Sequence, residues 1–205
     1  EPNQESSMIR ALLASTALLV AAPAFADGHL ESEQVETVAQ VGPTVGQAAP
    51  ALSAVTSAGD AATLATVSGA NGVALVFFRS ADWCPFCKKQ LLELNPVAAD
   101  LEASGWPVVG VSYDSAETLA DFKAKNELAF TLLSDEGSAT IDAFGLRNLE
   151  VAGGRVDGIP HPAVVFVRTD GTVAGVMRED GYRDRPQVEA ITDAATLLNE
   201  AAAEG

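Results

Sequence analysis

Trp83-Cys84-Pro85-Phe86-Cys87 carries both cysteines of a 205-residue chain. Two thiols at this spacing can close a disulfide around a single helical turn. They lie between an apolar run, Val73 to Phe78, that reads as a buried strand, and Lys88 to Leu94, which reads as a helix. At such a junction Cys84 stands at the helix N-terminus, where unpaired backbone N–H groups and the helix dipole favour a thiolate over a thiol. The chemistry this suits is dithiol exchange: an exposed thiolate attacks a disulfide and the neighbouring thiol resolves the mixed disulfide. The spacing assigns Cys84 as nucleophile and Cys87 as resolving thiol. A structural zinc site needs further ligands, and a single cysteine pair with no second CxxC argues against one. Arg79 before the pair and Lys88 after it would each lower a thiol pKa if turned inward, although Lys88-Lys89 also reads as a solvated face. Asp82 and Trp83 frame the mouth of the site, with plain packing as the alternative role for Trp83.

The surrounding elements follow from apolar periodicity and turn residues. Leu52 to Val55 and Thr63-Leu64, around Gly59-Asp60, read as a short hairpin, and Asn71-Gly72 as a turn that releases the buried strand. Leu91, Leu94, Ala98 and Leu101 share one helical face, with Pro85 tolerated in the first turn and Pro96 expected to kink or split the helix. Val108 to Tyr113 is a second buried strand, and Asp114 or Ser115 caps a helix over 116–126. Phe130 to Leu133 is extended and Ser138 to Phe144 helical, followed by a loop from Gly145 to Gly158. Ala163 to Arg168 and Thr172 to Met177, joined by Thr169-Asp170-Gly171, form a hairpin. A last helix begins near Pro186, with Val188, Ile191, Ala195 and Leu198 on one stripe. Strand, helix, strand, helix, hairpin, helix predicts an α/β domain with a mixed central sheet.

Met8-Ile9-Arg10, the apolar stretch Ala11 to Val20, Pro23 and Ala24-Phe25-Ala26 read as a cleavable export signal cut after Ala26. The apolar stretch is too short for a permanent anchor, which needs about 20 residues. Residues 1–7 fit no part of a signal and read as a tag or misplaced start. Residues 27–44 read as a flexible leader, and 45–205 as one domain with enough chain for a sizeable core. The net charge is −16, and loss of Glu1, Glu5 and Arg10 with the signal leaves −15. Such acidity argues against nucleic acid or anionic membrane as partners. An exported, periplasmic CxxC rests as a disulfide unless reduced, so the reading requires an external electron donor.

The succession resembles the thioredoxin fold, and its details resemble the redoxin or peroxiredoxin-like (AhpC/TSA) branch. The residues that carry the likeness are Val76-Phe77-Phe78-Arg79 with Asp82 to Cys87, Val109 to Ser115, and Leu132 to Asp135. Pro160 to Val167 with Asp170-Gly171, and Tyr182-Arg183-Asp184-Arg185-Pro186, continue it. The resemblance implies a thioredoxin-like fold, a mixed sheet flanked by helices, over roughly Val45 to Leu198. It also implies that Pro162 is a cis-proline lying against the two sulfurs. One departure is Phe78, which stands where thioredoxin has a buried Asp before its first cysteine.

Three functions are open at this point. An exported thiol-disulfide oxidoreductase, acting on a protein thiol or disulfide, comes first. A thiol peroxidase comes second. Peroxiredoxins carry Thr-x-x-Cys, and alignment by that motif puts Cys84 at the Thr and Cys87 at the peroxide-reacting cysteine. Pro162 then falls where their second-shell arginine would be, with Arg79 as a substitute donor. A copper(I) chaperone is third, with His161 approaching the two sulfurs. The first two readings imply no organic cofactor and no metal, and the chain has no glycine-rich nucleotide loop.

Overall fold

The computed structural model describes residues 41–179, 181 and 183–204. The export signal, its cleavage point, most of the expected leader and Tyr182 lie outside the described residues.

In chain order the elements are β1 (Ala54–Thr56), β2 (Ala61–Ala62), α1 (Leu64–Val67), β3 (Gly72–Phe77), α2 (Pro85–Leu94) and α3 (Ala98–Ala103). They continue as β4 (Val108–Ser112), α4 (Ala116–Lys125), β5 (Thr131–Ser134), α5 (Ala139–Ala143), β6 (Ala163–Arg168), β7 (Val173–Arg178) and α6 (Val188–Ala203). The strands form one mixed sheet in the order β2-β1-β5-β4-β3-β6-β7, with β3, β4 and β5 parallel and the remaining neighbours antiparallel. The α/β thioredoxin-like architecture expected from the sequence is the one observed.

β3 reads as an unbroken apolar run because helices cover both faces of the sheet at its centre. Ala74, Val76 and Phe78 pack with Leu91 and Leu94 of α2, Leu101, Leu119 and Ile191. Val73, Leu75 and Phe77 face the other way, toward Val109, Leu133, Ile141 and Phe144. The chain therefore leaves β3 at the sheet's centre and turns directly into the cysteine segment.

One local expectation changes. Thr63-Leu64 is not strand: Thr63 caps α1, its backbone N–H donating to Thr66 Oγ1 at 2.9 Å, and the hairpin partner of β1 is Ala61–Ala62. The threonine side chains offered a cap that an extended backbone could not use. The helix after the cysteines does divide at Pro96, into α2, a 3-10 turn over Asn95–Val97, and α3. Of the two candidate caps for α4, Ser115 serves, accepting the Thr118 N–H, which leaves Asp114 for another role.

α6 docks through Ile191 and Ala195 and is further tied by Asn199, whose Oδ1 accepts from Trp106 Nε1 at 2.7 Å and from Asn71 Nδ2 at 2.9 Å. Gly110 of β4 leaves no room beneath α2: an added Cβ would lie 2.7 Å from Leu132 Cδ2, 3.0 Å from Phe78 Cε1 and 3.7 Å from Leu91 Cδ2. Gly110→Ala should cost about 1–3 kcal/mol by overpacking, read from urea unfolding of the oxidised protein.

Candidate active site

After Phe78 the chain crosses Arg79, Ser80, Ala81, Asp82 and Trp83 before α2 begins. Asp114, just past β4, holds this crossing: its Oδ2 accepts the Ala81 N–H at 2.7 Å and the Ser112 hydroxyl at 3.0 Å. Burial pushes the Asp114 carboxyl above its ordinary range, against the pull of the Ala81 N–H and the Ser80 and Ser112 hydroxyls, and the Asp82 charge adds to the rise. Ser80 Oγ accepts the N–H groups of Asp82 and Trp83 at 2.9 and 3.3 Å, closing the turn.

Cys84 is the N-cap of α2, with Pro85 at the first helical position where its missing N–H costs nothing. Its Sγ accepts the Cys87 N–H at 3.3 Å and is bonded to the Cys87 sulfur in a disulfide whose Cα atoms lie 5.3 Å apart. The helix is intact with the bond closed, since the Lys88 N–H donates to Cys84 O at 3.1 Å. Cys84 and Cys87 are both buried, at 2% and 0% exposure.

Trp83 is half-buried against the core, and its Nε1 donates to the Tyr113 hydroxyl at 3.0 Å. Packing, the alternative role considered for it, is the one these contacts describe. Asp82 is exposed beside it, in a depression shared with Tyr113, Arg155 and Val156. Arg79 is buried, and its charge is felt at His161. His161 is half-buried. Burial first, then the Arg178 and Arg79 charges, hold its pKa below the ordinary value, against an opposing pull from Glu150. No hydrogen bond joins His161 to either sulfur among the described residues, and the two cations around it disfavour a third.

Pro162 corrects the sequence reading: every described peptide bond is trans. The chain is already extended where it reaches this residue, since Pro160 bridges Arg147, the His161 N–H donates to Leu146 O at 2.7 Å, and Ala163 pairs with Phe77. A residue before proline is pushed toward that extended conformation, so a trans bond feeds β6 without a turn.

The contact that sequence reasoning missed is Arg185. Its Nη2 lies 3.5 Å from Cys87 Sγ and 3.8 Å from Cys84 Sγ, and its side chain is 6% exposed. Its segment, Tyr182 to Pro186, entered the sequence reading only as part of the family likeness, with no role assigned to the arginine. Nothing in the sequence spacing pairs it with cysteines about a hundred residues earlier.

With this geometry in view, the AhpC/TSA family profile matches residues 45–176. The chain belongs to the AhpC/TSA family. A Haemophilus influenzae protein assigned to the peroxiredoxins under the name bcp is 30% identical over 146 residues, covering 71% of this chain and 92% of that protein. Xanthomonas campestris peroxiredoxin Q superposes with a TM-score of 0.58 at 26% identity, covering 73% of this chain and 90% of that one. The peroxidoxin BcpB of Mycobacterium tuberculosis shares the fold, with a TM-score of 0.65 at 20% identity over 78% of this chain and 98% of that one. The chain is a peroxiredoxin-like oxidoreductase. That membership reverses the order of the sequence readings, placing the peroxidase ahead of disulfide exchange as an end in itself.

A carboxyl whose pKa is raised by folding contributes most stability below its unfolded value, and that contribution is lost as pH rises through the folded value. Asparagine has no such loss. The stability of Asp114→Asn relative to the natural protein should therefore climb as pH rises from about 3 to about 7. Urea midpoints across that range measure it, and a flat difference would show an unshifted carboxyl.

Proposed function

We propose that the protein is a thiol peroxidase in which Cys87 attacks the peroxide and Cys84 resolves. The observation that carries this reading is the Cys84–Cys87 disulfide closed across an intact first turn of α2 in an AhpC/TSA fold. The peroxiredoxin relatives support peroxide as substrate, and the Thr-x-x-Cys motif comparison, which sets Cys87 at the peroxide-reacting position, is the ground for the role of each sulfur.

The cycle balances as follows. The Cys87 thiolate attacks one peroxide oxygen, the O–O bond breaks, and the second oxygen leaves as an alkoxide or hydroxide that takes a proton from water. The resulting Cys87 sulfenic acid condenses with the Cys84 thiol, forming the S–S bond and releasing water. Both cysteines already lie within disulfide reach with the helix folded, so condensation needs no unwinding of α2.

An external dithiol donor then returns two electrons. Its thiolate attacks Cys84, at the N-cap of α2, and Cys87 departs as a thiolate; the donor's second thiol then attacks the donor sulfur bonded to Cys84, closing the donor's own disulfide and releasing Cys84, which takes up that thiol's proton. Disulfide exchange through Cys84 is thus the reductive half of the peroxidase cycle. The copper reading gains no support, because His161 makes no bond to the sulfurs and faces Arg79 and Arg178.

With Cys84→Ser, pre-reduced protein should still consume one equivalent of peroxide and leave a trappable sulfenic acid on Cys87. Cys87→Ser should abolish the fast reaction. Stopped-flow peroxide consumption with dimedone trapping and peptide mass mapping measures both, and sulfenic acid confined to Cys84 would invert the assignment.

We infer export from Met8 to Ala26, on the sequence pattern alone. N-terminal sequencing of protein recovered from a bacterial periplasm should begin at Asp27. Recovery only from the cytoplasm with residues 8–26 retained would overturn it.

A further inference from the structure

Arg185 lies nine residues beyond the last position matched by the AhpC/TSA profile, in the segment between β7 and α6. Its backbone is held from both sides. Gln90 of α2 donates from Nε2 to Pro186 O at 3.4 Å, and Gln187 Nε2 donates to Arg185 O at 3.0 Å. Gln187 caps α6, its carbonyl accepting the Ile191 N–H, and Ile191 is fully buried. The guanidinium itself is braced by Nη1 donating to Asp184 O at 2.5 Å, which leaves Nη2 directed at both sulfurs.

A guanidinium does not lose its proton at any working pH. A closed disulfide offers such a charge two weak acceptors, whereas a thiolate offers a full negative charge at the same place. Contact with Nη2 therefore favours the reduced, ionised site over the reduced, neutral one. A peroxide reaching the Cys87 sulfur would also come within reach of the guanidinium fork, which can donate to two acceptors at once. Pro162, which the resemblance sets at the place of the peroxiredoxins' arginine, offers no polar hydrogen. The donor comes instead from the start of the last helix.

We propose that Arg185 is a catalytic residue, donating through Nη2 to the Cys87 thiolate and then to the peroxide oxygen on which negative charge develops. No proton leaves the guanidinium: the departing oxygen is hydrogen-bonded by Arg185 and protonated by water. This rests on the peroxidase reading for its second half only, since the proposed contact with the thiolate does not depend on what the thiolate reacts with.

The test uses the reduced full chain, with Arg185→Gln and Arg185→Lys beside it. Arg185→Gln should slow peroxide oxidation by about a hundredfold and move the pH midpoint of iodoacetamide alkylation upward. Arg185→Lys, which keeps the charge and loses the fork, should hold the alkylation midpoint closer to the natural one while oxidising slowly. A folded Arg185→Gln protein, shown by its thermal melt, with the natural rate and natural midpoint overturns the assignment. If Arg185→Gln does not fold, Arg185→Lys decides by its rate: slower oxidation supports the proposal and an unchanged rate overturns it. If the natural protein reacts with peroxide no faster than free cysteine, the peroxidase reading falls. The alkylation midpoints then still decide whether Arg185 acts on the thiolate.

Discussion

One carboxylate oxygen of Asp114 receives both the Ala81 N–H and the Ser112 hydroxyl, and this junction ties the end of β4 to the crossing that ends in Cys84. The crossing has no regular structure of its own. Without a fixed anchor, the five residues between Phe78 and Cys84 could deliver the first turn of α2 in many orientations. The anchor is costly, because burial pushes against ionisation of Asp114, and three donors offset that cost only in part. Such a group is better explained by the geometry it enforces than by any stability it supplies.

From that anchor the site is assembled from three directions. β3 brings the backbone to the centre of the sheet, buried on both faces. α2 places the two sulfurs on its first turn, the N-cap sulfur taking the Cys87 N–H. The segment before α6 brings a guanidinium back over them. Each contribution depends on core contacts well away from the sulfurs: Leu91 and Leu94 for α2, and Ile191, Ala195 and the Trp106–Asn199 hydrogen bond for α6. The reactive atoms are two sulfurs, but their positions are set across the whole sheet.

The arrangement also reconciles two chemistries that the sequence set against each other. Peroxide reduction needs a shielded thiolate with donors around it, and regeneration by a thiol donor needs an accessible sulfur. Cys87 lies closer to Arg185, and Cys84 stands at the helix end. A CxxC spacing lets one helical turn hold both environments. Lys88 and Lys89 stay outside this scheme, Lys89 pairing with Glu93 at 3.5 Å on an exposed face worth little to stability.

What the sequence alone determined is what local pattern encodes. The apolar run of β3, the helical stripes of Leu91, Leu94 and Leu101, the split at Pro96, the Asp170-Gly171 turn and the CxxC at a strand-to-helix junction are all properties of neighbouring residues. They are legible because burial, chain stiffness and capping act within a few positions. The tertiary structure decided what depends on residues far apart in the chain. Asp114 read as a helix cap until its carboxylate met Ala81, and His161 has its pKa held down by burial and by the charges of Arg178 and Arg79, residues far from it in the chain. Pro162 proved trans because the bridge at Pro160 had already straightened the chain. Arg185 stood in the sequence only within the Tyr182 to Pro186 stretch of the family likeness, and its contact with the cysteines appears only when the chain before α6 folds back to them. Side-chain charge acts through space, and sequence spacing records only distance along the chain.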